Sequence, residues 1–189
     1  MSLNHKLNDS RMKEKQIYFY SGNHPHRRAN AMYLICSWCV LFLKKTPEDA
    51  FKPFKGCPPV PPWHDATQGP ANFNLTILDT LRGLLKAAQY KFFDFNNFNL
   101  SEYEHFEQVE NGDLNWCVEN KFIMFAGPQN KRESSGEGYH SLCPDDYIPY
   151  FKKRNVELVV RLNKKYYDAR KFTSQGIGKY SHVVVYTYV

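Results

Sequence analysis

The chain has 189 residues, of which 42% are hydrophobic and 16% aromatic, and its formal net charge is +6. This composition argues against extensive disorder and predicts a soluble globular protein with one sizeable core or two small ones. Five irregularly spaced cysteines and an N-terminus without an apolar signal segment indicate a reducing, intracellular setting. The longest apolar run, residues 29–43, falls short of the roughly 20 residues of a membrane span.

The first half of the chain is predicted to begin with a strand and continue in helices. Residues 16–20 are β-branched and aromatic and predict a strand, and a loop then leads to a helix from residue 27 to about 43. Thr46 is predicted to cap a helix that ends near residue 54, with Pro47 in its first position. Residues 57–63 read as an extended loop, and leucines at helical spacing predict a core helix over residues 74–90.

A short acidic helix is predicted next, because five carboxylates fall within residues 101–113. Ser101 and Glu104 have the spacing of a capping box that opens this helix, and Asn111 and Gly112 form a turn that ends it. Beyond it we predict a strand over 121–126, a flexible loop over 131–138 and a helix that starts at 143–146. A strand over 156–162, a helix over 164–172 and a strand over 183–189 complete the prediction.

The loop after the first predicted strand has the layout of a phosphate-binding loop. Tyr20, Ser21 and Gly22 lead through a tight turn to Arg27 and Arg28 at a helix start. In cysteine-dependent phosphatases this layout carries a cysteine, five residues and an arginine. Here the serine and the glycine stand six residues before the two arginines, and a serine without a neighbouring base is a poor nucleophile. We therefore favour a packing role for a degenerate phosphate loop.

The cysteines and histidines predict neither a catalytic thiol nor a metal site. None of the five cysteines is followed six residues later by an arginine. Cys36 and Cys39 form a C-x-x-C pair inside an apolar helix with no second pair, which favours core packing over a metal or redox role. His24 and His26 flank a proline in a loop, where solvated histidines are commoner than ligands. No metal and no cofactor is expected.

The acidic helix admits two interpretations. Glu104 and Glu107 are three residues apart and share one helical face beside Tyr103 and Phe106, while Asp113 follows the turn. Together these carboxylates could receive an arginine or lysine of a partner peptide. Alternatively, Glu104 completes the capping box and the remaining carboxylates only solvate a surface.

Several segments of the chain closely resemble one phosphatase family: KKTPEDAF at 44–51, residues 72–79 and 93–95, YEHFEQVENGDLNW at 103–116, and VRLNKK at 160–165. From about residue 3 to 176 the chain is similar to the mitotic-exit dual-specificity protein phosphatases, the cell-division-cycle fourteen family. The resemblance implies an α/β, dual-specificity phosphatase-like fold of the protein tyrosine phosphatase superfamily, with incomplete tandem domains. Residues 1–95 would be the rear part of the non-catalytic N-terminal domain, 96–118 an acidic linker helix and 119–189 the opening part of the catalytic domain.

The same resemblance implies a function. Family members remove phosphate preferentially from phosphoserine followed by proline, with a basic residue downstream. The acidic groove that receives this basic side chain falls on Glu104, Glu107 and Asp113 of this chain. The implied partners are phosphorylated proteins of cell-cycle and mitotic-exit control in the nucleus or nucleolus, centrosome, spindle or cytoplasm. Membrane and nucleic-acid partners are not expected.

Departures from the family pattern predict that this chain alone is inactive. The family's Asp-Gly segment with the general-acid aspartate reads Tyr186-Thr187 here, and the Cys-x5-Arg signature does not occur. Hydrolysis needs nucleophile, arginine and general acid together. Two interpretations stay open: an incomplete product of a phosphatase gene, truncated at both ends and prone to aggregate, or a non-catalytic isoform that binds basic or phosphorylated peptides. Nonspecific nucleic-acid binding through the +6 charge ranks last.

Overall fold

The structure is a computed structural model that describes residues 3–64, 70–71, 73–134, 138 and 140–181. The chain divides into an N-terminal unit, residues 1–91, and a C-terminal unit, residues 92–189. The α-helices of the described chain are α1 Leu3–Asn8, α2 Pro25–Leu41, α3 Pro47–Phe51, α4 Ile77–Gln89, α5 Leu100–Phe106, α6 Pro144–Lys153 and α7 Arg170–Thr173. Its strands are β1 Trp63–His64, β2 Asn74–Leu75, β3 Leu114–Val118, β4 Phe122–Phe125, β5 Leu158–Arg161 and β6 Gly178–Ser181.

Helices α2, α3 and α4 pack around the core of the N-terminal unit. The core side chains are short or aliphatic, and they are Met32, Cys36, Val40, Ala50, Ile77 and Leu81. Thr46 caps α3, since its hydroxyl accepts a hydrogen bond from the Asp49 backbone N–H at 3.1 Å. Thr76 caps α4 in a reciprocal box, in which the Asp79 carboxylate accepts from the Thr76 N–H at 3.1 Å. The predicted helices of this region are therefore confirmed, with two changes at their starts. Helix α2 starts two residues earlier, at a proline that tolerates the first helical position. Helix α4 starts at Ile77 instead of residue 74, because Asn74 and Leu75 form strand β2 and Thr76 is the cap.

The strand predicted over residues 16–20 is wrong. These residues have no regular secondary structure, and they pair with no other strand in the described part of the chain. Tyr18, Phe19 and Tyr20 are 75%, 53% and 89% exposed. β-branched and aromatic residues favour a pleated conformation, but a strand also needs a neighbour for its backbone hydrogen bonds. The amino-acid composition of residues 16–20 does not indicate whether such a neighbouring strand exists.

The core of the C-terminal unit is mainly aromatic. Phe151 of α6 is fully buried, with its ring 5.2 Å from that of Phe125 and 6.0 Å from that of Phe172. Tyr147 and Tyr167 complete the aromatic cluster, which Leu114, Ile148, Val159 and Ile177 extend. Strands β3 and β4 form an antiparallel hairpin beside this core, and β5 pairs in parallel with β6 across α7.

Two predictions for the C-terminal unit need correction. The hairpin strand β3 lies where the sequence suggested only the end of an acidic linker. The helix predicted over 164–172 forms only as α7, because the Asp168 carboxylate accepts the Arg170 N–H at 2.9 Å and the Asp168 N–H donates to the Asn130 side chain at 3.2 Å. Such side-chain bonds compete with helical backbone bonds. The strand predicted over 183–189 and part of the 131–138 loop lie outside the described residues.

The two units differ in charge. The N-terminal unit has 13 Lys and Arg against 6 Asp and Glu, a net charge of +7, whereas the C-terminal unit has 12 against 13, a net charge of −1. The basic character of the chain is therefore confined to its first half. In the part of the chain that the structure describes, no helix combines the length and apolar character needed to cross a membrane.

Candidate functional site

Helix α5 carries Glu102 and Glu104, Glu107 is its C-terminal cap, and Asn99 caps its N-terminus. The Asn99 side-chain oxygen accepts a hydrogen bond from the Glu102 N–H at 3.1 Å, and its amide nitrogen lies 3.4 Å from a Glu102 carboxylate oxygen. The predicted capping box of Ser101 and Glu104 is wrong, because asparagine caps at least as well as serine and occupies the same spacing two residues earlier. Glu104 is consequently not used as a cap, and its side chain is exposed.

Phe106 anchors α5 in the C-terminal unit. Its ring is partly buried against the aromatic core and lies 4.6 Å from the ring of Tyr150 in α6. The Tyr150 hydroxyl in turn accepts a hydrogen bond from the Trp116 indole N–H of β3 at 2.9 Å. The acidic helix is thus part of the fold of residues 92–189.

A compact turn links α5 to β3. The Asn111 side-chain amide donates to the His105 carbonyl at 2.9 Å and to the Gln108 side-chain oxygen at 3.1 Å, which closes the chain on itself. The Asp113 N–H donates to the Gln108 carbonyl at 3.1 Å. Gly112 has a φ of +125°, and a Cβ added there would lie 2.9 Å from a methyl group of Leu114. Only glycine therefore fits this position without strain.

Tyr147 holds the same turn from inside the core. Its hydroxyl donates to the Gly112 carbonyl at 2.9 Å, and the Ala126 N–H donates to the Asp113 carbonyl at 3.0 Å. The backbone of Asp113 is thereby fixed between the core and the hairpin. This role of Tyr147 has no signal in the sequence, because a tyrosine on the buried face of a helix looks like any other core residue.

Glu104, Glu107 and Asp113 are all exposed at the surface of the C-terminal unit. Burial, and then a hydrogen bond to Glu107, raise the pKa of Tyr103, so this hydroxyl stays protonated beside the carboxylate. Burial also raises the pKa of Tyr147, and the negative charge of Asp113 adds to the shift. Exposed carboxylates of this kind attract a cationic side chain with about 0.2–1 kcal/mol per ion pair.

The degenerate loop of residues 20–28 places its two arginines differently. Arg28 is partly buried, and its guanidinium donates to the Pro58 carbonyl at 3.4 Å and the Pro59 carbonyl at 3.0 Å. Arg27 is exposed and lies over Gly22, since its Nη1 would be 3.6 Å from a Cβ added there. The packing role favoured for this loop therefore fits Arg28, whereas Arg27 has no such contact.

Tyr20, Ser21 and Gly22 of the same loop are exposed to solvent. The Ser21 hydroxyl donates to the Gly22 carbonyl at 3.2 Å. This bond offers no base that could take the serine proton, so the local geometry gives the hydroxyl no activation.

The C-x-x-C pair contributes to the core of the N-terminal unit. Cys36 is fully buried, its thiol donates to the Ala50 carbonyl at 3.3 Å, and burial raises its pKa to about 11. A thiol with such a pKa is a poor nucleophile at neutral pH. His24 and His26 stack with ring centroids 5.4 Å apart. Over the described ranges, no group of three or more His, Cys, Asp or Glu is arranged to hold a metal.

Comparison with known proteins gives a consistent result. A family model described as "Dual specificity protein phosphatase, N-terminal half" matches residues 1–87. The human dual specificity protein phosphatase CDC14A is 47% identical over 180 residues, which cover 94% of this chain and 30% of the human protein. Mouse CDC14B is 43% identical, covering 92% and 36%, and the tyrosine-protein phosphatase CDC14 of Candida albicans is 34% identical, covering 93% and 32%. The chain spans about a third of the length of these relatives.

Proposed function

Because the chain belongs by sequence to the CDC14 family of dual-specificity protein phosphatases, we propose that it takes part in protein dephosphorylation in cell-cycle control. The family assignment and the α/β, dual-specificity phosphatase-like fold expected from the sequence are both confirmed. The proposed partners are phosphorylated proteins inside the cell, in the nuclear, centrosomal, spindle or cytoplasmic settings that the resemblance implied.

The proposed role of this chain is to bind the basic residue downstream of a phosphoserine-proline pair. Glu104, Glu107 and Asp113 are the proposed contacts. The observation that carries this proposal is the capping of α5 by Asn99. Because Asn99 caps the helix, Glu104 is not needed for a capping box, and its side chain is exposed. Glu107 follows it by one helical turn, and the backbone of Asp113 is fixed by Ala126.

We further propose that the chain by itself does not hydrolyse phosphopeptides. No cysteine of the 189 residues has an arginine six residues later. Without a thiolate held beside a phosphate-binding arginine, no covalent phosphoryl intermediate can form by the mechanism of this enzyme class. Released phosphate from a phosphoserine-proline peptide, measured with the purified chain, should not exceed the background without protein.

Peptide binding tests the recognition role. Fluorescence anisotropy would compare a phosphoserine-proline peptide that carries a downstream lysine with the same peptide carrying glutamine. Two or three exposed ion pairs of about 0.2–1 kcal/mol each predict a preference for lysine of roughly 2–150-fold at low salt, decreasing as salt is added. The double variant Glu104→Gln with Glu107→Gln should lose most of this preference.

Glu110→Gln is the matched control, because Glu110 is also exposed and belongs to the same acidic segment. It should leave the preference nearly unchanged. Equal binding of the two peptides by the unaltered chain would reject the recognition role. An equal loss in the Glu110 variant would show that the overall negative charge, rather than the proposed contacts, attracts the peptide.

A further inference from the structure

Residues 133–134 and 140–141 form a short antiparallel ladder at the surface of the C-terminal unit. Ser134 bridges His140, and the Ser141 N–H donates to the Glu133 carbonyl at 2.8 Å. The Ser141 hydroxyl accepts the Glu133 N–H at 2.9 Å, so this hydroxyl is engaged inside the ladder. The Ser134 side chain is exposed, and the two serines therefore differ in accessibility although they are close along the ladder.

Arg132 ties this ladder to helix α6. Its Nε donates to both carboxylate oxygens of Asp146 at 2.9 and 3.1 Å. Asp146 also accepts the Cys143 N–H at 2.8 Å and so completes the cap of α6. The arginine side chain is 64% exposed, and the aspartate side chain only 12%. The ion pair of Arg132 with Asp146, which we call the tether, therefore joins an accessible guanidinium to a nearly buried carboxylate.

We propose that Ser134 is a phosphorylation site for a serine kinase that recognises upstream basic residues, and that the phosphate draws Arg132 away from Asp146. The sequence Lys131-Arg132-Glu133-Ser134 places cations two and three residues before the exposed hydroxyl. In the transfer, Ser134 Oγ bonds to the γ-phosphorus of ATP as the bond to the β,γ-bridging oxygen breaks. ADP leaves, and the serine proton passes to the base of the kinase.

The surroundings of Ser134 favour this outcome. Residues two apart along an extended segment share a face, so a phosphate on Ser134 lies on the side of Arg132. His140 is directly across the bridge and within reach of the same group. A phosphate carries nearly two negative charges and three acceptor oxygens, whereas the Asp146 carboxylate carries one charge. Asp146 keeps its bond to the Cys143 N–H, so α6 remains capped while the ladder is released.

The site can be tested by incubating the full chain with a purified basic-directed serine kinase and MgATP, followed by peptide mapping by mass spectrometry. One phosphate is expected, on Ser134, and Ser134→Ala should lose it. Ser141 in the same ladder serves as the internal control and should stay unmodified. No incorporation, or a phosphate only on Ser141 or on the neighbouring Ser135, would overturn the proposal.

Hydrogen exchange tests the proposed release. Amide exchange over residues 128–134 should become faster in the phosphorylated chain than in the unmodified one. In Arg132→Gln the tether is already absent, so exchange should be fast before phosphorylation and should not rise further after it. If phosphorylation of the unaltered chain left the amide exchange rate of residues 128–134 unchanged, the proposed move of Arg132 from Asp146 to the phosphate would be rejected.

Discussion

The two units of this chain reach stability by different means. The N-terminal unit buries short and aliphatic side chains between three helices, and it carries a net charge of +7. The C-terminal unit buries an aromatic cluster beside a hairpin and a parallel strand pair, and its net charge is −1. An acidic helix in a chain with a net charge of +6 is therefore less paradoxical than the total suggests. The helix belongs to a unit that is nearly neutral, so the positive charge of the N-terminal unit accounts for the total and the carboxylates of the helix make its own surface negative.

The largest effect that would test this comparison is expected from Phe151→Ala. The ring is fully buried and contacts aromatic neighbours from β4 and α7, so its removal should cost about 3–5 kcal/mol of unfolding free energy. Hydrogen exchange should locate the loss of protection chiefly in residues 92–181.

Leu81→Ala is the matched change in the N-terminal unit, where this side chain is fully buried in α4. It should cost about 2–5 kcal/mol and reduce protection chiefly in residues 3–91. If either variant lowered protection to the same extent in both units, the distinction between two separate cores would fail.

A pair of glycine substitutions should give opposite signs in the two units. Gly112→Ala places a Cβ 2.9 Å from Leu114 at a φ of +125°, so it should destabilise the C-terminal unit by about 1–3 kcal/mol. Gly83→Ala lies inside α4 with nothing within 4 Å of the new Cβ, so it should stabilise the chain by about 0.5–1 kcal/mol. Urea unfolding of both variants would measure the difference, and equal signs would contradict it.

A further effect, confined to low pH, concerns the acid stability of the C-terminal unit. The guanidinium of Arg132 lowers the pKa of Asp146 from 3.8 to about 2. The ionised carboxylate therefore stabilises the fold fully above about pH 4, and this contribution disappears as the pH falls through about 2. Allowing for the exposed arginine, it should amount to about 1–2 kcal/mol.

Asp146→Asn should remove this part of the pH dependence between pH 4 and 2. Asp79, the corresponding capping carboxylate of the N-terminal unit, also has a lowered pKa, chiefly through hydrogen bonds from Thr76, but its side chain is more exposed than that of Asp146. Unfolding midpoints in urea, measured across this pH range, would test the prediction. An unchanged slope in the Asp146 variant would contradict it.

The N-terminal unit was predicted well from sequence wherever local signals are sufficient. Thr46 before Pro47, and leucines at helical spacing after Thr76, define helix starts and buried faces through contacts a few residues apart. Residues 16–20 failed because a strand depends on a distant partner that no local pattern describes.

The C-terminal unit shows the same limit at the candidate site. The exposed carboxylates Glu104 and Glu107 were identified from their spacing, but the cap was assigned to Ser101 instead of Asn99 because both satisfy the same rule. The anchoring of the turn by Tyr147 could not be predicted, since it joins residues 35 positions apart. Local chemistry therefore identifies candidate residues, whereas tertiary contacts decide which of them are left free to bind.

The two arginines of the degenerate loop have a consequence for protein engineering. A cysteine at Ser21 would restore the nucleophile-to-arginine spacing with Arg27, whereas a cysteine at Gly22 would restore it with Arg28. The guanidinium of Arg28 is occupied by two carbonyl groups of the proline-rich loop, and that of Arg27 is exposed. Any attempt to rebuild an anion-binding thiol loop in this unit should therefore start from Ser21. The arginine paired with Ser21 is Arg27, which is exposed, whereas Arg28 is already engaged in hydrogen bonds to the Pro58 and Pro59 carbonyls.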